Sequence, residues 1–165
     1  MAWDGRRDLA LLRVVTAQVD ESSSPFSDGE GGKKKSTFIA FPAVAIAEGS
    51  PKTGAKLVCV GHPGSEDLEA DVEGVKTGYD MLHLSEGRYR GCAPGQDVHD
   101  NEEIGALMHD CWTYWGHSGA PLLERDTGML VGLHSSWDDT TGMRRGVALE
   151  AIRAFLDEIR GESSG

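Results

Sequence analysis

Hydrophobic positions along the chain follow two different periods. From Leu9 to Val19 they form a dense apolar run ending in β-branched residues, which predicts a strand. Asp20 to Ser36 is a polar, low-complexity stretch of serine, glycine, acidic residues and lysine, and predicts a mobile insert. Between Ala55 and Ala148 short apolar runs alternate with Gly and Pro signals, the pattern of an all-β unit, with loops over Glu66 to Val75 and Cys92 to Glu103. The period then changes. Leu149, Ile152, Phe155, Leu156 and Ile159 fall on one helical face, and Gly161 is placed to stop the helix. No internal repeat is visible.

Charge narrows the partners. The chain has 165 residues, and 16 basic minus 27 acidic residues gives a net charge of −11. That balance argues against nucleic-acid or general phosphate binding. Lys33-Lys34-Lys35 is the only basic run and reads as a solvated patch. No stretch is long and apolar enough to span a membrane. Met1 to Arg7 opens with charge and no apolar core, so no signal peptide is expected, and an intracellular location is favoured. Three cysteines, Cys59, Cys92 and Cys111, lack metal-ligand spacing. Their scarcity leans toward a reducing compartment, and whether Cys92 and Cys111 pair stays open. The six histidines are scattered, with no His-Glu-x-x-His pattern, so neither a metal nor an organic cofactor is expected.

The densest chemistry lies in Gly116-His117-Ser118-Gly119-Ala120-Pro121. A serine between glycines sits on a tight turn, where its hydroxyl projects and neighbouring N–H groups can point at a developing oxyanion. Pro121 leads into Leu122-Leu123, so the chain leaves the turn as a strand. The same residues approximate the nucleophile elbow of α/β-hydrolases. That elbow needs a helix directly after the serine and a histidine far downstream. Here Pro121 and the strand-like Gly128 to Ser136 follow, and the only downstream histidine, His134, comes too soon.

An ordered set of segments resembles the trypsin-like serine peptidases. Asp8-Leu9-Ala10-Leu11-Leu12-Arg13-Val14 looks like the strand opened by that family's triad aspartate. Phe38 to Ala47 resembles the crossing between its two barrels, and Val58-Cys59-Val60-Gly61-His62-Pro63-Gly64 the opening strand of the second. Met108 to Thr113 runs into the serine turn, and Leu130 to Ser135 resembles the strand lining the specificity pocket. The resemblance implies an all-β, trypsin-like double β-barrel, here the end of barrel one plus a complete second barrel with a C-terminal helix. Residues 1–19 would be the last strand of an incomplete first barrel and 20–37 the insert. Residues 38–160 would hold the crossing, second barrel and helix, and 161–165 a disordered tail.

The resemblance also assigns roles. Ser118 would be the nucleophile, with the N–H groups of Gly116 and Ser118 as the oxyanion hole. Asp8 would orient a histidine, but the family's order is His, Asp, Ser and no histidine precedes Asp8. Within the family the glutamyl-endopeptidase-like branch is most similar. It carries Gly-(Ile/Leu)-His in the pocket strand and a threonine five positions before the nucleophile, matched here by His134 and Thr113. An imidazole and a hydroxyl converging on a small pocket can bind a substrate carboxylate. Two residues depart from the pattern. His117 stands where family members carry Asp or Asn, and Ala120 replaces a usual Gly or Ser. Adjacent side chains diverge, so His117 is not expected to serve Ser118 as base.

The implied function is serine endopeptidase action on a peptide or protein substrate, with this isolated chain inactive because its base is missing. The alternative is a catalytically dead, peptide- or protein-binding module. With no barrel-one neighbours expected for the strand at Leu9, Leu11, Leu12, Val14 and Val15, self-association through that strand is a further expectation.

Overall fold

A computed structural model describes residues 1–14 and 42–162. The predicted insert, and the expected strand beyond Val14, lie outside the described residues. Two short strands, β1 (Ala2–Asp4) and β2 (Leu9–Leu11), form a separate antiparallel hairpin. Six more strands follow: β3 (Lys56–Gly61), β4 (His83–Cys92), β5 (Leu107–His109), β6 (Pro121–Glu124), β7 (Leu130–Trp137) and β8 (Arg144–Ala148). They close into one antiparallel barrel in the order β3-β4-β5-β8-β7-β6. The helix α1 (Leu149–Glu162) ends the described chain.

The barrel closes because its strands alternate. Leu57 and Cys59 of β3, Ser85 and Tyr89 of β4, Leu107 and His109 of β5, and Leu122 of β6 are buried, while their strand neighbours are half-buried or exposed. Each fully buried leucine contributes about 1.5–3 kcal/mol relative to leaving it in water. Strand β8 is buried from Arg145 to Ala148 because the barrel covers one face and α1 the other. The all-β architecture with a terminal helix is thus as the pattern predicts. The helix runs through Gly161 to Glu162 rather than stopping at the glycine, and Met108 to Thr113 is strand only to His109. All three cysteines are free thiols.

The N-terminal segment is seated differently from the expectation of a strand without neighbours. Leu9–Leu11 pairs with Ala2–Asp4 inside this chain, in the register Asp4 to Leu9 and Ala2 to Leu11. Leu9 is buried with Val147, Ala151, Ile152 and Phe155, so the hairpin rests on α1. The Arg7 guanidinium reaches both Glu158 oxygens at 2.6 and 2.7 Å and Asp4 at 2.9 Å. On its other side the Asn101 N–H donates to the Arg6 carbonyl at 2.8 Å. Leu12 and Val14, just past the hairpin, stay largely exposed at 70% and 67%.

Leu9 is the only β2 side chain in the hairpin–helix core, so Leu9→Ala should cost about 2–3 kcal/mol in urea-induced unfolding. A change below about 0.5 kcal/mol, the size of an ordinary surface substitution, would mean that the hairpin does not rest on the helix in solution.

Candidate active site

The serine turn lies between the end of β5 and the start of β6, and its geometry follows from one buried ring. His117 is 1% exposed and inserts into the mouth of the barrel beside Trp112 and His83. Space for it exists because position 61 is glycine. A Cβ there would stand 2.1 Å from His117 Cδ2. His117 Nδ1 lies 3.0 Å from the Tyr114 carbonyl and 3.2 Å from the Tyr114 N–H, so either neutral tautomer finds a partner there. Its Nε2 has none among the described residues. Successive side chains diverge, so burying His117 turns Ser118 outward, and Ser118 is exposed.

Gly116 has φ of 98° and Gly119 φ of 82°, both in the left-handed region. Position 116 is doubly restricted, since a Cβ there would meet the His62 carbonyl at 2.5 Å. The turn is tied to its surroundings at several points. The Gly64 N–H donates to Trp115 O at 2.7 Å, Gly119 N–H to His134 O at 2.8 Å, and the Tyr114 hydroxyl to Asp67 at 2.6 Å. Within the turn the His117 and Ala120 N–H groups are also bonded, at 3.1 and 2.8 Å. Those of Gly116 and Ser118 donate to nothing among the described residues. Two free N–H groups thus flank an exposed hydroxyl, an arrangement able to receive an oxyanion.

The Ser118 hydroxyl itself donates to the Ser135 carbonyl at 3.1 Å. No imidazole is bonded to it. His62 Nδ1 faces Met81 O at 2.8 Å, His83 packs on Trp112, and His109 is bonded to His134. Ser118 and His134 line one cleft of about 510 Å³ together with Ser135, Trp115 and Trp137. An adjoining chamber of about 460 Å³ shares Tyr114, Trp137, Asp138 and Asp139 with that cleft and is lined further in by Thr113 and Arg144. The structure therefore brings Ser118, Gly116 and His134 together, with Thr113 one chamber away.

Asp8 stands apart. It sits in the hairpin turn with φ of 55° and is exposed, and no residue of 1–14 lines the cleft. Arg144 was missed in the sequence. Its Nε donates to Thr113 Oγ1 at 3.1 Å and its Nη1 to Gly142 O at 2.8 Å. The signal, an Arg-Arg pair opening an apolar strand, carries no meaning until the register places Arg144 opposite His109.

Both pocket histidines are buried, and their Nε2 (His109) and Nδ1 (His134) lie 3.1 Å apart. Burial drives His109 down to about 3 and His134 to about 4, and the nearby Arg144 charge pushes each the same way. His117 is lowered too, chiefly by burial. The neutral pair has a preferred tautomer. Nδ1 of His109 has no partner among the described residues, and an orphaned lone pair is less costly there than an orphaned N–H. His109 then donates from Nε2 to His134, which leaves the proton of His134 on Nε2, the nitrogen not engaged by His109.

The family model for the trypsin-like peptidase domain matches residues 1–133. Among solved structures the chain is similar to Rv3671c from M. tuberculosis H37Rv, a serine-to-alanine mutant in an inactive form. That likeness has 18% identity over 73% of this chain and 54% of that one, with a TM-score of 0.50. The active form of Rv3671c protease from M. tuberculosis matches at 20% identity over 70% and 47% of the two chains, TM-score 0.49. An inactive form of Rv3671c protease matches at 21% over 72% and 55%, also with TM-score 0.49. The chain spans about half the length of these structures. No curated protein matches it significantly.

Two outcomes follow from the site's packing. Gly61→Ala should cost about 2–3 kcal/mol, because the new methyl and the His117 ring cannot both occupy the barrel mouth. Neutral circular-dichroism and urea profiles for that variant would show His117 to lie elsewhere. Acidification should also destabilise the fold. The folded-state pKa values of His109 and His134 lie below the unfolded value of about 6.5, so the unfolded chain gains protons first as pH falls. Each such histidine removes about 1.4 kcal/mol per pH unit below about 6.5 until its folded pKa is reached, giving about 4 kcal/mol for the pair by pH 5. Carboxylates held low, such as Asp67 and Asp110, lose their contribution only at lower pH. Urea unfolding at pH 7, 6 and 5 measures this, and equal stability at all three would contradict a neutral buried pair.

Proposed function

The chain belongs to the trypsin-like peptidase domain family, and on that premise we propose that it carries the nucleophile, oxyanion site and specificity pocket of a serine endopeptidase that cuts after acidic residues. The observation that carries the reading is the pair of N–H groups, Gly116 and Ser118, that donate to nothing among the described residues, beside the exposed Ser118 hydroxyl. Ser118 Oγ attacks the scissile carbonyl, and those two N–H groups receive the charge that develops on its oxygen. Collapse of the tetrahedral intermediate breaks the peptide C–N bond and expels the C-terminal portion as an amine, which takes up the proton that the base removed from Ser118. Water then hydrolyses the acyl-enzyme to free the acid and the serine. Thr113 and His134 offer a hydroxyl and an N–H to the side chain preceding the cut.

Attack requires a base to take the hydroxyl proton, and none of the six histidines is hydrogen-bonded to Ser118 Oγ. The chain by itself is therefore expected to turn over peptides poorly. In this reading Asp8 orients an imidazole supplied from outside the chain. Loss of the base from such a unit removes most of the rate and leaves a small contribution from the oxyanion site and binding. The same observation supports a second reading, a peptidase-like module that binds peptides without cutting them.

An external base separates the two readings. With imidazole added, the full chain should release p-nitrophenol from an N-acetyl-glutamyl p-nitrophenyl ester in a burst stoichiometric with protein, and Ser118→Ala should abolish the burst. Without imidazole, peptide amides should show no turnover that Ser118→Ala removes. A burst equal in the variant, or absent at every imidazole concentration, would leave the binding-module reading in place.

A further inference from the structure

We infer that Arg144, rather than either pocket histidine, supplies the positive charge that recognises a substrate carboxylate, with Thr113 holding its guanidinium in place and His134 serving as a neutral hydrogen-bond donor. The inference rests on the acidic-specificity reading above and assigns its charge.

The argument starts from what the pocket can keep ionised. His109 and His134 are buried against each other, and two imidazolium ions cannot share a 3.1 Å contact. The arginine cannot lose its proton at all. It is only half-buried, which limits its desolvation cost, and it is oriented by two bonds, Nε to Thr113 Oγ1 and Nη1 to Gly142 O. Its Nη2 has no partner among the described residues, so one face of the fork is open. Thr113 is buried, so its hydroxyl acts as a fixed acceptor and steers the fork toward the chamber lined by Tyr79, Trp112 and Trp137. A planar fork with an open edge matches a carboxylate.

Acidic groups around this chamber do not cancel the charge. Asp138 accepts the Thr140 and Thr141 N–H groups at 3.0 and 2.9 Å and faces Arg145 at 3.5 Å. Asp110, on the hollow behind Arg144 with His109, is committed to Arg90 and to the Arg88 N–H. Glu69 and Asp139 also line the chamber but are exposed, where water and salt screen them more than the inner guanidinium. The Tyr114 hydroxyl donates to Asp67, which pushes its pKa up to about 12 and keeps it neutral near pH 7.

Binding to the isotopically labelled full chain tests this, with N-acetyl-Ala-Ala-Glu-amide and its Gln counterpart as probes. Both lack a terminal carboxylate, so the difference between them reads the side chain alone. The unaltered chain should bind the Glu peptide about tenfold more tightly, as expected for a charge-assisted bidentate contact. Because a glutamate side chain titrates near 4.3 and arginine does not, the Glu/Gln ratio should stay level from pH 6 to 8. Arg144→Met should bring the ratio to about one by weakening the Glu peptide about tenfold more than the Gln peptide, and Arg144→Lys should restore part of it. His134→Gln should weaken both peptides yet keep the preference. A ratio that falls from about ten toward one as pH rises from 6 to 8 would place the charge on an imidazole and overturn the inference without needing any variant to fold. An Arg144→Met chain that still prefers Glu would overturn it too. No Glu preference in the unaltered chain, or no binding of either peptide at about 20 mM, would instead remove the acidic-specificity reading on which it stands.

Discussion

Everything in the candidate site depends on one ring filling the end of the barrel. His117 and Ser118 are consecutive, so the depth of the first sets the exposure of the second. Gly61 on β3 provides the space, and the Gly64 N–H, three residues on, bonds the carbonyl of Trp115. One strand end therefore both accommodates the buried ring and anchors the turn. Because the N–H groups of residues 117, 119 and 120 are consumed in holding this shape, those of 116 and 118 are the ones left free. The pair of N–H groups proposed to receive an oxyanion is thus a by-product of how the ring is packed, and needs no separate device.

The same burial sets the electrostatics. Three histidines lie in or near the barrel end, and desolvation lowers the pKa of each. Ring contacts link them in series, His117 to His134 at 6.5 Å and His134 to His109 at 5.2 Å. A protein with net charge −11 could in principle lend its field to protonate them. Burial and the nearby Arg144 act in the opposite direction on the inner two. The result is a pocket whose polarity is split between neutral donors and one permanent cation. On the proposed reading, a substrate carboxylate would meet a group whose ionisation does not vary with pH, so selectivity and protonation of a base could be governed separately.

Local patterns in the sequence predicted the barrel well because its chemistry is local. Alternation in Leu57 and Cys59, the Pro121-Leu122-Leu123 exit and the helical stripe from Leu149 to Ile159 each report a period that packing obeys. The serine turn was legible for the same reason, since glycines at 116 and 119 are demanded by their own φ values. Long-range features were not legible. The partner of Leu9–Leu11 is a strand only three residues long, Ala2–Asp4, in a stretch whose mixed Trp, Asp and Arg residues carry no alternation. Arg144 acquires meaning only through its cross-strand pairing with His109 and its bond to Thr113, thirty-one residues earlier. The His109–His134 contact likewise joins two strands that are not sequence neighbours.

Asp8 shows how a local and a distant explanation can meet at one residue. Its φ of 55° is a conformation that aspartate tolerates better than most side chains, so the hairpin turn alone gives a reason for this residue type. Leu9, the next residue, is driven into the helix-facing core, which fixes the turn and leaves the Asp8 carboxylate in water with no partner among the described residues. A carboxylate that orients an imidazole must be held against it and largely desolvated to be effective. In this chain the backbone positions Asp8, but no described residue covers it. If Asp8 serves catalysis, the group that supplies the imidazole must also supply the enclosure, packing over the hairpin turn and reaching Ser118 in the same docking event. Base and enclosure would then arrive together or not at all, making the activity of the site a property of the assembled cleft rather than of its serine.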